Sequence, residues 1–197
     1  MTGKELFSKY GIILDILLDI VKVLPRKLRW SLFEAHRNTN GKRGLVVRYI
    51  RLSSLAKSIG SNVSVFPGCY FKYVENLKVG NNVSFQPMCF IGAAGGIEIG
   101  NNVSIAHGST ILSSSHTFEQ FDKPIKYQDI ELKQTIIGND IWLGCNTVVL
   151  AGVKIENGCV IGANSTVTKS IPEYSIAVGS PAKVIKNRGG GDIHDNI

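Results

Sequence analysis

The chain has no C-x-x-C pair, no uninterrupted apolar run long enough to cross a bilayer, and modest charge, with 19% charged and 8% aromatic residues among 197. Its four cysteines (Cys69, Cys89, Cys145, Cys159) lie 14 or more residues apart, which argues against a cysteine-ligated zinc site or a dense disulfide scaffold and predicts free thiols. The longest apolar stretch, Ile12 to Leu24, is broken by Asp15, Asp19 and Lys22, so no spanning helix is expected. No small-residue cleavage site follows it, so a secretory signal peptide is not expected and the cytoplasm is the expected compartment. No helix-turn-helix, RRM or zinc-finger pattern accompanies the basic residues, and a nucleic-acid partner is not expected.

What is present begins with an uneven charge. The net charge is +7. Between Lys22 and Lys57 ten basic residues stand against Glu34 alone. Just before them Leu6, Tyr10, Ile13, Leu14, Leu17, Ile20, Val21 and Leu24 follow a three-four spacing that predicts an amphipathic helix ending before Pro25. Arg26 to Arg51 is expected to continue as a short helix and an irregular segment. The helix could cap a neighbouring structure, take part in assembly, or lie peripherally on a membrane whose phosphates meet the basic cluster.

After residue 58 the sequence repeats every six positions. Aliphatic or aromatic residues recur at Ile59, Val65, Phe71 and Leu77; at Val79, Phe85, Ile91 and Ile97; at Ile99, Ile105 and Ile111; and at Ile137, Leu143, Val149, Ile155, Ile161 and Val167. A smaller residue often follows four positions on, as at Thr147, Cys159 and Ser165. Gly60-Ser61-Asn62-Val63, Gly80-Asn81-Asn82-Val83 and Gly100-Asn101-Asn102-Val103 repeat at a spacing of 20. A six-residue period means a short strand and a tight corner, and three such units close a triangular coil. Glycine and asparagine suit the corners because they tolerate positive φ. Stacked coils pair as parallel strands about 4.8 Å apart, and each buries what its neighbour cannot. The period predicts a mainly β chain: a parallel β-helix of about five coils with an N-terminal α-helical segment. Cys69, Cys89 and Ser109 share one hexad position and are expected to form an inward ladder of small side chains. The expected division is 1–58 for the helical basic segment, 59–175 for the β-helix with an inserted loop 117–134, and 176–197 for a C-terminal turn and tail.

Within this frame His116 stands where the repeat stops. Thr117 to Gln134 keeps no six-residue register, so the loop leaves the prism and a histidine at its root sits at an edge. An imidazole there suits a general base; a polar loop residue is the alternative. Trp142 lies between inward Ile141 and Leu143, and alternation turns its ring outward.

The hexads, the stretch Ser113-Ser114-Ser115-His116-Thr117-Phe118, the block Ile136 to Gly144 and the ending Gly179-Ser180-Pro181-Ala182-Lys183-Val184-Ile185 resemble the hexapeptide-repeat acyltransferases. That family includes galactoside, maltose and nodulation-factor acetyltransferases. The resemblance covers roughly residues 59 to 188. It implies a left-handed helix, whereas the general rule for parallel crossovers favours the right hand.

The resemblance implies several roles. His116 is the catalytic base and the backbone N–H of Cys145 the oxyanion donor. Trp142 lines the acyl pocket. Gln86 falls where galactoside enzymes place an acceptor-binding Asn, and Ala94 replaces an Asp, which points to a different acceptor. Ala163, Thr168 and Lys169 match positions along the pantetheine arm of acetyl-CoA, and Lys183 and Lys186 match basic residues near its nucleotide. A homotrimer with clefts between prisms is implied as well. Zinc chemistry of the γ-carbonic-anhydrase kind needs three histidines, and only His107 and His116 lie in the repeat, with His36 and His194 in the flanks. No metal is expected. The expected function is acetyl-CoA-dependent O-acetylation of a sugar hydroxyl in surface polysaccharide biosynthesis. N-acetylation of an amino sugar nucleotide and a non-catalytic β-helix module are the alternatives.

Overall fold

The computed structural model describes residues 3–189, with side chains described from residue 11 onward. Three helices come first: α1 (Gly3–Lys22), α2 (Arg26–Ala35) and α3 (Gly41–Leu55). Pro25, with φ −54°, stands at the N-cap of α2, where its missing N–H costs nothing. The segment expected to be partly irregular is therefore mostly helical. Its apolar face is hard to see in sequence because α3 is enclosed rather than one-sided, with Tyr49, Ile50, Leu52 and Leu55 all buried.

The remainder winds into a three-sided parallel β-helix. The first face stacks Ser58–Ile59, Leu77–Val79, Ile97–Ile99, Thr135–Ile137 and Lys154–Ile155. The second stacks Ser64–Val65, Ser84–Phe85, Val103–Ile105, Ile141–Leu143, Val160–Ile161 and Ser175–Val178. The third stacks Tyr70–Lys72, Phe90–Gly92, Thr110–Leu112, Val148–Val149 and Thr166–Val167. Five coils are complete. A partial sixth is begun by the bridge Ile155↔Ile171 and the strand Ser175–Val178. The expected tail is in part a strand: Lys183–Asn187 returns antiparallel to Ser175–Val178. No hexad marks it, because its partner runs the other way.

Every hexad residue predicted to face inward does so. Apart from partly buried Ile59, each is no more than 4% exposed. The column Val65, Phe85, Ile105, Leu143, Ile161, Ala177 is wholly buried. The repeated Gly-Asn-Asn-Val corners have a precise stereochemistry. Asn62, Asn82 and Asn102 take φ of 53°, 58° and 58°. The side chain of the preceding asparagine accepts the N–H of its counterpart one coil earlier: Ser61 to Asn81 Oδ1, Asn81 to Asn101 Oδ1, Asn101 to Asn139 Oδ1, each at 2.8 Å. A Cβ on Gly80 would lie 2.7 Å from Asn101 Oδ1 and from the Gly100 carbonyl, so side chains there would force the coils apart.

The open N-terminal end is closed by α2 and α3. Phe33 of α2 meets Phe71 edge-on at 5.9 Å, and Phe71 meets Phe85 at 5.3 Å. Arg48 of α3, 1% exposed, donates through Nε to the Val65 carbonyl at 2.7 Å and through Nη1 to the Thr39 carbonyl at 2.5 Å. Burial holds its guanidinium below its ordinary value. Of the three roles open to the front segment, capping is taken by α2 and α3. Arg48→Met should leave those carbonyls unpaired and lower unfolding stability by about 2–4 kcal/mol. Urea denaturation checks this: an undiminished midpoint would mean the end cap does not depend on that side chain.

Candidate active site

The sequence-predicted residues fall on two different edges of the prism. The first is the corner between the second and third faces, built from the stacked tetrads Gln86-Pro87-Met88-Cys89, Ala106-His107-Gly108-Ser109, Gly144-Cys145-Asn146-Thr147 and Gly162-Ala163-Asn164-Ser165. The fourth residue of each turns inward, as does Cys69 of the preceding Phe66-Pro67-Gly68-Cys69 corner: Cys69, Cys89, Ser109 and Thr147 are fully buried and Ser165 nearly so. Their polar atoms are consumed locally, as where Cys89 Sγ donates to the Ala106 carbonyl at 3.3 Å and Ser109 Oγ to the Gly144 carbonyl at 3.1 Å. Hydrogen bonding with Cys69 and burial push the Cys89 thiol far up, and burial also raises Cys159. These thiols are structural, and all four cysteines are free.

The third residue of each tetrad has positive φ, at 64° for Met88 and 56° for Asn146. Its N–H reaches the second residue of the coil before, from Asn146 to the His107 carbonyl at 3.0 Å and from Asn164 to the Cys145 carbonyl at 2.8 Å. His107, Cys145 and Ala163 consequently form one outer column. The Cys145 amide makes no hydrogen bond among the described residues, so this N–H is available to a ligand. It sits beside Trp142, 56% exposed at the centre of Ile141–Leu143 and flanked in register by Ser104 and Val160. The outward indole predicted by alternation is observed. Gly144 explains how the column closes: a Cβ there would stand 2.5 Å from the Ala163 nitrogen. Gln86 is half-buried two coils away on the same corner, about 10 Å along the axis at the usual strand spacing. Lys183 pairs in register with Val178 at this end of the second face, whereas Lys186 pairs with Ile176 at the other end.

The second edge lies between the third and first faces. Here the inserted segment leaves as a hairpin rather than an irregular loop, Ser114–His116 pairing antiparallel with Ile130–Leu132 so that His116 stands opposite Ile130. Gln128, a residue the sequence reading passed over, organises the excursion: 4% exposed, its Nε2 donates to the carbonyls of Gln120 at 2.7 Å and Lys123 at 2.9 Å. A lone buried glutamine in a polar loop gives no periodic signal. His116 is exposed, and its ring has no hydrogen-bonding partner among the described residues. Thr168 and Lys169 are exposed on this edge two coils on, and Ala94 lies one coil before it. Phe118, Phe121, Ile125 and Tyr127 leave the hairpin with an apolar surface, Phe121 being fully exposed.

The structure therefore brings Gln86, Trp142, Cys145, Ala163 and Lys183 to one corner and His116, Thr168 and Lys169 to another, with the third face between them. No cluster of three metal-ligating side chains occurs among the described residues. His194 lies outside the described residues.

Comparison with known proteins gives the class to which this architecture belongs. Residues 134–169 match the family "Bacterial transferase hexapeptide (six repeats)". The chain is 30% identical over 177 residues to galactoside O-acetyltransferase of Escherichia coli K12, spanning 89% of this chain and 86% of that protein. A galactoside acetyltransferase solved in complex with coenzyme A superposes with a TM-score of 0.74 at 30% identity, over 82% of this chain and 80% of that one. The chain belongs to the hexapeptide-repeat acyltransferases, whose β-helix is left-handed. A putative lipopolysaccharide biosynthesis O-acetyl transferase of E. coli K12 is 48% identical over 63 residues, 32% of each chain. Several other relatives are matched over still less, down to 26% of their length.

Gly144→Ala should strain the coil contact at the Cys145 corner and cost about 1–3 kcal/mol. Thermal unfolding measures it; an unshifted transition would show that the corner can open without penalty.

Proposed function

We propose that this protein is an acetyl-CoA-dependent O-acetyltransferase acting on a sugar hydroxyl, and that each site is assembled from two copies of the chain within a homotrimer. The observation that carries this reading is the split site: an unpartnered, exposed imidazole on one edge and, on another, the unpartnered N–H of half-buried Cys145 beside an outward indole. Within one prism the third face separates them. Between prisms, the hairpin of one copy set against the Cys145 corner of the next would join them and cover the hairpin's apolar side chains.

In this arrangement an acceptor hydroxyl gives its proton to His116 as its oxygen attacks the thioester carbonyl. The carbonyl oxygen gains charge and takes the Cys145 N–H, a kind of donor whose loss costs roughly 3 to 4 kcal/mol where measured. The intermediate then collapses, the C–S bond breaks, and the imidazolium returns its proton to the departing coenzyme A sulfur. Base catalysis by a positioned side chain contributes about 10²- to 10⁴-fold, and holding both substrates together supplies much of the remainder. Trp142 shields the reacting centre from water. Ala163 offers a smooth wall to the pantetheine arm, with Thr168 and Lys169 at the opposite lip. Lys183 and Lys186 supply point charges for the phosphates, and Gln86 faces the acceptor. No metal enters the reaction. The similarity to the galactoside and lipopolysaccharide O-acetyltransferases supports a sugar hydroxyl and a role in surface polysaccharide assembly.

Coenzyme A release should be seen with hydroxyl sugars and not with amino sugars alone; amine-only turnover would sink the O-transfer assignment. His116→Ala should lower kcat by about 10²- to 10⁴-fold while leaving the KM for acetyl-CoA within about twofold, and Cys145→Ser should stay active because only the amide is used. Co-expressed His116→Ala and Trp142→Ala chains should recover part of the activity that each lacks alone, since a mixed assembly contains one intact pair of edges. Absence of recovery would place the whole site in one copy.

A further inference from the structure

Over its described side chains, from residue 11 onward, helix α1 has two apolar faces, and one of them is packed. Leu14 is 5% exposed, and it joins the core with Leu18 and Val21 packed beside it, on the side turned to α3. Ile12, Ile13, Ile16, Leu17 and Ile20 lie on the opposite side, between 39% and 79% exposed, and Val23, 84% exposed, follows directly after the helix. At 3.6 residues per turn these five helical positions fill an arc of about 140°. Asp15, Asp19 and Lys22 occupy the wedge on the far flank. A helix that merely covered the end of the prism would need the first face alone. Five branched aliphatic residues in water on one helix, with Val23 just beyond its end, form a contiguous patch that ordinary surfaces avoid.

The chemistry beside the patch indicates its occupant. After Pro25 the chain turns and presents Leu28, 45% exposed, together with Arg26 and Lys27 at the start of α2. Arg26 is held by Glu75 at 2.8 Å, Lys22 by Asp19 at 3.4 Å, and Lys27 has no ion-pair partner among the described residues. Arg26, Lys27, Trp30, Tyr73, Val74 and Glu75 line an open cavity of about 540 Å³ between the start of α2 and the first coil. Aliphatic residues bordered by cations and by a tryptophan and a tyrosine are the composition of a surface that meets a bilayer at its headgroup level. No described helix is long and apolar enough to cross a membrane.

We infer that the unpartnered face of α1 docks on an anionic membrane surface. Ile12, Ile16, Ile20 and Val23 enter the acyl boundary, and the cavity between the start of α2 and the Tyr73–Glu75 turn receives a lipid phosphate through Lys27 and Arg26. The inference does not rest on the acyl-transfer reading and can fail or stand without it.

The test is flotation of the full chain with vesicles of phosphatidylcholine plus phosphatidylglycerol, and of phosphatidylcholine alone. The chain should float with the anionic vesicles and several-fold less with the neutral ones. Ile16→Glu/Ile20→Glu should lower partitioning by at least about tenfold with an unchanged circular dichroism spectrum. Lys27→Glu, which leaves the apolar face intact, should lower it about tenfold on anionic vesicles only. It preserves the test if the double variant misfolds. A chain that stays in the aqueous fraction, or an unaltered partition of either variant, overturns the inference. So does a fall in sedimentation mass of the double variant, because it makes this face a contact between copies of the chain.

Discussion

Everything in the molecule answers to the distance between successive coils. Strands of two or three residues have almost no stability of their own, and only repetition at the parallel-strand spacing makes them a core. That spacing decides which residues are possible where. It allows no Cβ at Gly80, Gly100 or Gly144. It lets an asparagine in one coil satisfy an N–H in the one before, and it limits the inner corner column to Cys, Ser and Thr, whose small polar tips return to a carbonyl within reach. The outward positions are the ones left free by these demands. Trp142 and the Cys145 amide are chemically available because the lattice of coil contacts does not use them.

A solenoid has ends, and the two are closed by different physics. At the first coil the rim carbonyl of Val65 would be orphaned beneath α3, and a buried arginine reaches it instead of water. An aromatic column from Phe33 through Phe71 to Phe85 carries the cap into the prism. At the last coil the chain closes the second face with its own antiparallel strand, Ala182 and Val184 covering the core. Arg188 then ties back to Asp140 at 2.8 Å and to the Gly158 carbonyl at 2.9 Å. Both closures are complete without the outer face of α1.

The β-helix was readable in sequence because its signal is additive: each hexad repeats the same demand, and one exception, Ile59 beside the cap, does not obscure the period. The elements that escaped the reading are those used once. Helix α3 lies between α1, α2 and the first coil, so its apolar residues surround it and show no clear stripe. The hairpin Ser114–Leu132 has no register to share with the prism, and its anchor Gln128 is a single polar residue. For the candidate site, the outward turn of Trp142 followed from alternation. The separation of His116 from Cys145 was also encoded, though less visibly. His116 follows inward Ile111 on the third face, whereas Cys145 follows inward Leu143 on the second, so the two must lie at different corners.

The contrast between the two histidines of the repeat shows why a base belongs on an excursion. His107 is in the same outer column as Cys145, one coil away, and its carbonyl is committed to Asn146. A side chain rooted in that column is held at the level of its own coil, with neighbours at strand spacing above and below, so it can line a surface but cannot cross a gap. His116 stands on a hairpin arm clear of the prism, tied to Ile130 through the backbone and otherwise unconstrained. Under the proposed mechanism the base must meet a carbonyl held at another prism's corner while leaving room for an acceptor between them. Only a residue projecting beyond the face can do that. The interruption of the six-residue period at residue 117, which weakens the solenoid locally, is on this view the feature that lets a rigid scaffold carry a proton-transfer group into the cleft.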